Sequence, residues 1–168
     1  MSHNDLQVTA RPSRRLVVQE DWIDLYGHMN AARYVEVFDR VGYELLGKYG
    51  VGEAYTHAER KGIFTVELNT RYLSELVLGD EIDLSVLLVG ADDKRLLSLF
   101  ELRRSSDGRL SATMEQLSLH VCLVTRKAEP FPVQLRHSLQ AAVAADSSLL
   151  QGYAPTLSLT RGRKATTA

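Results

Sequence analysis

The chain has 168 residues, 45% hydrophobic and 24% charged, with a formal net charge of -1; this predicts one soluble domain able to bury its own core. Near-zero charge excludes a global field that would draw the protein to nucleic acid or a membrane surface, and no apolar run approaches the roughly 20 residues of a membrane helix. Cys122 is the single cysteine, so an intrachain disulfide is excluded; Met1–Asp5 carries no apolar signal-peptide core, and a cytoplasmic location is expected.

Residues 1–13 are polar, contain Pro12, and are expected to form a flexible lead-in. Residues 14–20, Arg-Arg-Leu-Val-Val-Gln-Glu, read as a first strand. An irregular stretch follows, Asp21-Trp22-Ile23-Asp24-Leu25-Tyr26-Gly27-His28-Met29-Asn30, in which Gly27 permits a turn that other residues resist. From Ala31 to about Tyr49 the apolar residues Tyr34, Val37, Phe38, Val41, Leu45 and Leu46 fall on one stripe of an amphipathic helix. Asn30 is placed to cap its orphan amides, and Gly47-Lys48-Tyr49-Gly50 suits its end.

A polar connection is expected from Gly52 to Lys61, after which the period changes to alternation. Residues 63–73 place Phe64, Val66, Leu68 and Tyr72 on one face and Thr65, Glu67, Asn69 and Arg71 on the other. Residues 81–90 and 95–104 read as further strands joined through Ala91-Asp92-Asp93-Lys94. After the Ser106-Asp107-Gly108 turn, 110–125 is the longest strand. Leu117, Leu119, Val121 and Leu123 share one of its faces; Met114, Gln116, Ser118, His120 and Cys122 share the other. Pro130 and Pro132 break the sheet, 133–145 has helical composition, and residues from 146 are expected to form a disordered tail. One strand, one long helix and a hairpin series imply an antiparallel sheet covered on one face only. Its exposed edges and apolar area favour self-association, with a homodimer as the default.

The Asp21–Asn30 stretch concentrates carboxylates, an imidazole, a carboxamide and aromatics immediately before a helix N-terminus. Asp24 is either a turn-forming or capping aspartate or a catalytic carboxylate, and the second alternative is preferred. Asp21 and His28 read first as loop-orienting groups. Trp22, Tyr26 and Tyr34 are either core aromatics or an aromatic cage for a quaternary ammonium, where each ring contributes about 0.5–2 kcal/mol. His120 and Cys122 share a strand face but are expected to be core residues. No spacing suggests a metal site, nucleophile elbow, phosphate loop or dinucleotide fingerprint.

The motif Asp-x-x-Gly-His-x-Asn (Asp24, Gly27, His28, Asn30), between a strand and a long helix, resembles the hot-dog fold acyl-CoA thioesterases of the 4-hydroxybenzoyl-CoA thioesterase type. The segments Asp21–Asn30, Thr65–Glu67, Asp92–Leu96 and Glu115–Val121 are similar to the thioesterases of carnitine and betaine metabolism, whose substrate is betainyl-CoA or a related trimethylammonium acyl-CoA. The resemblance implies an α+β hot-dog fold, a long central helix wrapped by a curved antiparallel sheet, over a single domain at 14–145. It implies Asp24 as nucleophile or general base, and a backbone N–H around Asn30 or Ala31 polarising the thioester carbonyl. It further implies a CoA site at the interface of a homodimer or homotetramer, with CoA entering as part of the substrate and no separate cofactor. His28 either shapes the loop or contacts the thioester. Glu67 is a candidate partner for a cationic acyl group, and Lys94 with Arg95 for CoA phosphates. Glu36 and Glu44 rank below Asp24 as catalytic carboxylates on the helix. An acyl-thioester hydratase or dehydratase and a non-catalytic acyl-CoA binding module are the alternatives.

Overall fold

Asn30 starts the long helix α1 (Ala31–Leu46) by accepting the Ala32 N–H through its side-chain oxygen at 2.9 Å, which satisfies one amide that the helix itself cannot. A 3-10 turn carries the chain to Tyr49, and Gly50 ends it in the left-handed region at φ 85°. The structure is a computed structural model that describes residues 11–160. Tyr34, Val37, Phe38, Gly42, Leu45 and Leu46 are the buried residues of α1, in accord with the helical stripe read from the sequence. The helix lies close to the sheet at Gly42. A Cβ built there would fall 2.5 Å from Phe100 Cε1, and Phe38 and Phe100 are both fully buried.

The remaining elements are β1 (Ser13–Val17), α2 (Glu53–Glu59), β2 (Lys61–Tyr72), β3 (Glu81–Ala91), β4 (Arg95–Arg104), β5 (Leu110–Cys122), the two-residue β6 (Lys127–Ala128) and α3 (Val133–Asp146). The antiparallel sheet runs β1-β3-β4-β5-β2, with β6 paired to β5. This is the α+β arrangement expected: one long helix packed on a curved antiparallel sheet. The connection between α1 and β2 is not a loop, because Glu53–Glu59 forms a short helix whose Thr56 packs beside Gly62. Among the described residues no helix is long and apolar enough to cross a membrane.

The alternation read for residues 63–73 is broken by a bulge between Thr65 and Glu67. Cross-strand partners share a face. Leu68, Thr70 and Tyr72 therefore lie on the helix side with Gln116, Met114 and Ala112, while Phe64 moves to the outer side opposite Leu119. The two faces of β5 also have unexpected roles. Met114 packs toward the helix, with Gln116 and Ser118 on its face, whereas Leu117 belongs to a second cluster with Leu97 and Leu157.

Leu157 marks a difference from the tail expected at 146–168. Asp146 is buried, accepting the Leu88 N–H at 2.8 Å and the Tyr49 hydroxyl at 3.1 Å. Burial beside that carboxylate pushes the Tyr49 hydroxyl up. The chain then lies against the outer sheet face, where the Glu115 carboxylate accepts the Thr156 N–H at 2.9 Å, the Leu157 N–H at 2.7 Å and the Tyr153 hydroxyl. A buried carboxylate requires such donors, and the small polar residues of the segment gave no sign of them. Residues 161–168 of the expected tail, and residues 1–10 of the expected lead-in, lie outside the described residues.

Candidate active site

The Asp21–Asn30 stretch folds as a closed turn. The Gly27 N–H donates to the Asp24 carbonyl at 3.0 Å with Gly27 at φ 84°, a conformation other residues adopt at a cost. The Asp24 N–H returns to the His28 carbonyl at 3.1 Å, and Ile23 and Met29 form an isolated antiparallel bridge. Met29 is buried and donates its N–H to the Leu76 carbonyl at 2.7 Å, which anchors the stretch to the core. Leu25 and Tyr26 are left exposed at the tip.

The side chain of Asp24 is held from both ends. Its Oδ1 accepts the Tyr26 N–H at 2.9 Å, and its Oδ2 lies 3.5 Å from the Asn30 carboxamide nitrogen. His28 Nδ1 stands 3.9 Å from Oδ1, beyond hydrogen-bond reach, and the His28 ring stacks on Tyr26 with centroids 6.1 Å apart. The carboxylate is therefore fixed but still reachable.

Backbone amides gather at the helix start beside this carboxylate. The Asn30 N–H donates to the Trp22 carbonyl at 2.8 Å, the Ala32 N–H to the Asn30 side chain at 2.9 Å, and the Arg33 N–H to the Asn30 carbonyl at 2.9 Å. Of the two backbone amides the resemblance implied, Asn30's is occupied. The Ala31 N–H makes no hydrogen bond among the described residues. An orphan amide at a helix N-terminus is the group that binds negative charge.

Asp24, Asn30 and Ala31 border one open cavity of about 520 Å³ that Tyr26, His28, Tyr34 and Tyr72 also line. Tyr34 and Tyr72 meet edge-to-face at 5.3 Å and 83°. The Tyr72 hydroxyl donates to the Ala31 carbonyl at 3.0 Å. Tyr34 is buried, and desolvation pushes its hydroxyl up to about 12, so it enters as a neutral wall.

Four of the residues expected at the site lie elsewhere in the chain. Trp22 lines a separate cleft of about 320 Å³ on the other flank of α1, with Arg33, Glu36, Arg40 and Glu44. There Arg33 at 2.6 Å and Arg40 at 3.4 Å hold the Glu36 carboxyl below the usual carboxylate range, and Glu44 is exposed, 3.7 Å from Arg14. Glu67 pairs with Leu117 on the outer sheet face, whereas Tyr72 is on the helix side. Lys94 and Arg95 sit at the β3–β4 hairpin. Arg95 pairs with Leu119 and Tyr72 with Ala112, a separation of about seven strand residues or roughly 23 Å along β5. Arg95 is also occupied, 3.4 Å from Asp92 and donating to the Leu159 carbonyl. The short segment Tyr72–Glu75, in contrast, joins the site without having been expected there. Only the pairing of β2 with β5 brings it beside α1, and no local pattern encodes that.

His120 is a core residue as expected. Its Nε2 lies 2.9 Å from the Tyr55 hydroxyl and its Nδ1 2.9 Å from the Glu129 carbonyl, with Phe131 4.5 Å away; burial lowers its pKa.

Comparison with known proteins shows the family and the fold. The model of the thioesterase-like superfamily matches residues 18–142. A similar protein, the L-carnitine dehydrogenase/betainyl-CoA thioesterase of Rhizobium meliloti (strain 1021), is 32% identical over 123 residues, which are 73% of this chain and 25% of that protein. The match thus spans a quarter of that relative's length. The betainyl-CoA thioesterase of Pseudomonas aeruginosa is 29% identical over 132 residues, 79% of this chain and 83% of the relative. Among solved structures, a Staphylococcus aureus hypothetical protein in complex with CoA superposes with a TM-score of 0.74 at 25% identity, covering 94% of this chain and 96% of that one. A 1,4-dihydroxy-2-naphthoyl-CoA thioesterase from Synechocystis shares the fold at 14% identity, with a TM-score of 0.65 over 79% of this chain and 94% of its own.

Proposed function

The chain belongs to the thioesterase-like superfamily, and from that premise we propose that it is an acyl-CoA thioesterase releasing a free acid and CoA from a small acyl-CoA. The favoured substrate is betainyl-CoA or a related trimethylammonium acyl-CoA, which would place the protein in carnitine or betaine metabolism. One observation carries the proposal: Asp24 and Ala31 line the same cavity, and the Ala31 N–H makes no hydrogen bond among the described residues.

In the proposed reaction the thioester oxygen accepts the Ala31 N–H, and the helix start stabilises the charge that develops on it. Asp24 then acts in one of two ways. It attacks the carbonyl carbon, forming a mixed anhydride that water later hydrolyses, or it takes a proton from a water whose oxygen attacks. In both routes the carbon–sulfur bond breaks and the thiolate leaves, a departure that needs no strong acid. His28 stacks on Tyr26 and stands 3.9 Å from Asp24, suited to orienting the loop.

The preference for a trimethylammonium acyl group draws on the relatives' names and on the cavity wall. Tyr26, Tyr34 and Tyr72 present aromatic surface, and Asp24 and Glu75 add carboxylates. Such a lining suits a quaternary ammonium. Thiol release should be measured across betainyl-, aryl- and short-chain acyl-CoAs. Fastest turnover of betainyl-CoA supports the substrate, and double-bond formation without thiol release would indicate a hydratase or dehydratase instead. Tight binding without turnover across the panel would indicate a binding module.

A homodimer, or a homotetramer built from it, is part of the same proposal. β2 is a sheet edge, and Leu68 (43%) and Tyr72 (50%) remain exposed on its helix side. Edges of that kind favour pairing. Lys94 and Arg95 of the same chain do not reach the Asp24 cavity, so in this proposal the groups that hold the CoA phosphates come from elsewhere, a second copy included.

A further inference from the structure

We propose that Tyr72 is a positioning residue for this hydrolysis: its hydroxyl clamps the first turn of α1 so that the Ala31 N–H stays aimed at the substrate carbonyl. The inference rests on the thioesterase function proposed above and adds a residue to its site.

Tyr72 is the last residue of β2, paired with Ala112. Beyond it the ladder ends, and the Leu73 and Ser74 N–H groups both turn to the Ser111 carbonyl at 2.9 and 3.1 Å. The ring is set by its edge-to-face contact with buried Tyr34, and the hydroxyl reaches the Ala31 carbonyl at 3.0 Å. One strand end is thereby bonded to the helix start that carries the free amide.

The first two residues of that helix add little packing of their own. Ala31 and Ala32 are exposed and offer only methyl groups for packing, and terminal helical turns fray. Around Ala31 the chain is tied by the Asn30 N–H to the Trp22 carbonyl, by the Arg33 N–H to the Asn30 carbonyl and, just past Ala31, by the Asn30 cap on the Ala32 N–H. On the C-terminal side of Ala31 the Tyr72 hydroxyl is the tie that comes from the sheet. The Ala31 carbonyl shares one planar peptide unit with the Ala32 N–H, and the Ala31 N–H shares the preceding unit with the Asn30 carbonyl; holding the first unit through Tyr72 and the Asn30 cap limits the Ala31 torsions through which the second unit, and its N–H, could turn. Among the described residues that N–H stays without a hydrogen-bond partner, directed by its neighbours on both sides.

Misplacing a reacting group by about 1 Å can cost on the order of 100-fold in rate. With the Asn30 cap still present, loss of the Tyr72 hydroxyl alone is expected to cost about tenfold. The test is Tyr72→Phe, which keeps the ring on Tyr34, assayed for kcat and KM separately on the best thioester of the panel, with Tm alongside. The expected result is kcat down about tenfold, KM within about twofold, and Tm within about 2 °C of wild type. Tyr72→Leu, which also removes the cavity wall, should show the same loss in kcat together with a raised KM. Wild-type kcat in Tyr72→Phe, or a loss that follows a fall in Tm, overturns the role. A wild-type protein that hydrolyses no thioester overturns the proposed function and this role with it. An active wild type with an unaltered Phe variant overturns only the role of Tyr72.

Discussion

The Asp24 carboxylate and the Asn30 carboxamide stand 3.5 Å apart, Oδ2 to Nδ2, while the same carboxamide caps the Ala32 N–H at 2.9 Å. One side chain thus joins the proposed reacting carboxylate to the helix start that would bind the oxyanion. Asn30→Ala removes the cap, which costs about 1 kcal/mol of stability, and frees Asp24. Denaturant unfolding with steady-state hydrolysis should show both losses, kcat falling by about tenfold or more. Asn30→Asp keeps a capping oxygen but faces Asp24 with a second negative charge. Its stability should stay near wild type while kcat still falls.

Gly42 tests the packing that sets α1 on the sheet. An added methyl would sit 2.5 Å from Phe100 Cε1, and Phe100 is fully buried. Alanine gains up to about 1 kcal/mol over glycine in a helix, but overpacking a rigid core costs about 1–3 kcal/mol. Gly42→Ala should therefore lower the unfolding free energy, by about 1 kcal/mol, in a denaturant titration. Phe100→Leu added to Gly42→Ala should destabilise less than Phe100→Leu alone, because the smaller side chain relieves the clash.

His120 gives stability a pH dependence of defined sign. Its native pKa is lowered chiefly by burial, so the unfolded chain binds a proton at a higher pH than the native one. Stability from this group is complete above the unfolded histidine value of about 6.5 and is lost as pH falls below it toward the native value. Unfolding free energies measured between about pH 7.5 and pH 5 should fall with acidification. His120→Gln should flatten that slope, although it weakens the fold at neutral pH by disturbing the contacts to Tyr55 and Glu129.

Glu115 should control the segment after α3. Its carboxylate is buried and accepts the Thr156 and Leu157 amides together with the Tyr153 hydroxyl. Glu115→Ala removes all of these acceptors, a loss of about 1–3 kcal/mol for buried groups left unpaired. Hydrogen exchange at the Leu157 amide should then accelerate by about tenfold or more, with exchange in β3 unchanged.

Helix α1 and its cap were legible in the sequence because their signals are local: a stripe with helical period and an asparagine at its head. The hairpin strands were legible for the same reason. What escaped was set by distant pairing. The bulge between Thr65 and Glu67 depends on β5 and moves Phe64 to the outer sheet face. Tyr72 joins Ala31 across 41 positions. The Glu115 carboxylate holds Thr156 and Leu157 in a segment whose composition resembles a loose tail. At the site, residues close in sequence came together, Asp24 with Asn30 and Ala31. Trp22 did not, because the 3-10 turn at Glu20–Trp22 places its side chain in the cleft on the other flank of α1. Lys94 and Arg95 carry the charge that suits a phosphate, but charge does not fix position along a sheet.

The most direct measurement is kcat/KM for Asp24→Asn on the best thioester of the panel, with far-ultraviolet circular dichroism and Tm recorded on the same preparation. The substitution keeps the shape of the side chain and an acceptor for the Tyr26 N–H while removing the charge. If Asp24 is the nucleophile or general base, the variant stays folded and its kcat/KM falls by about 100-fold or more. A folded Asp24→Asn protein that hydrolyses the thioester at the wild-type rate would contradict the mechanism.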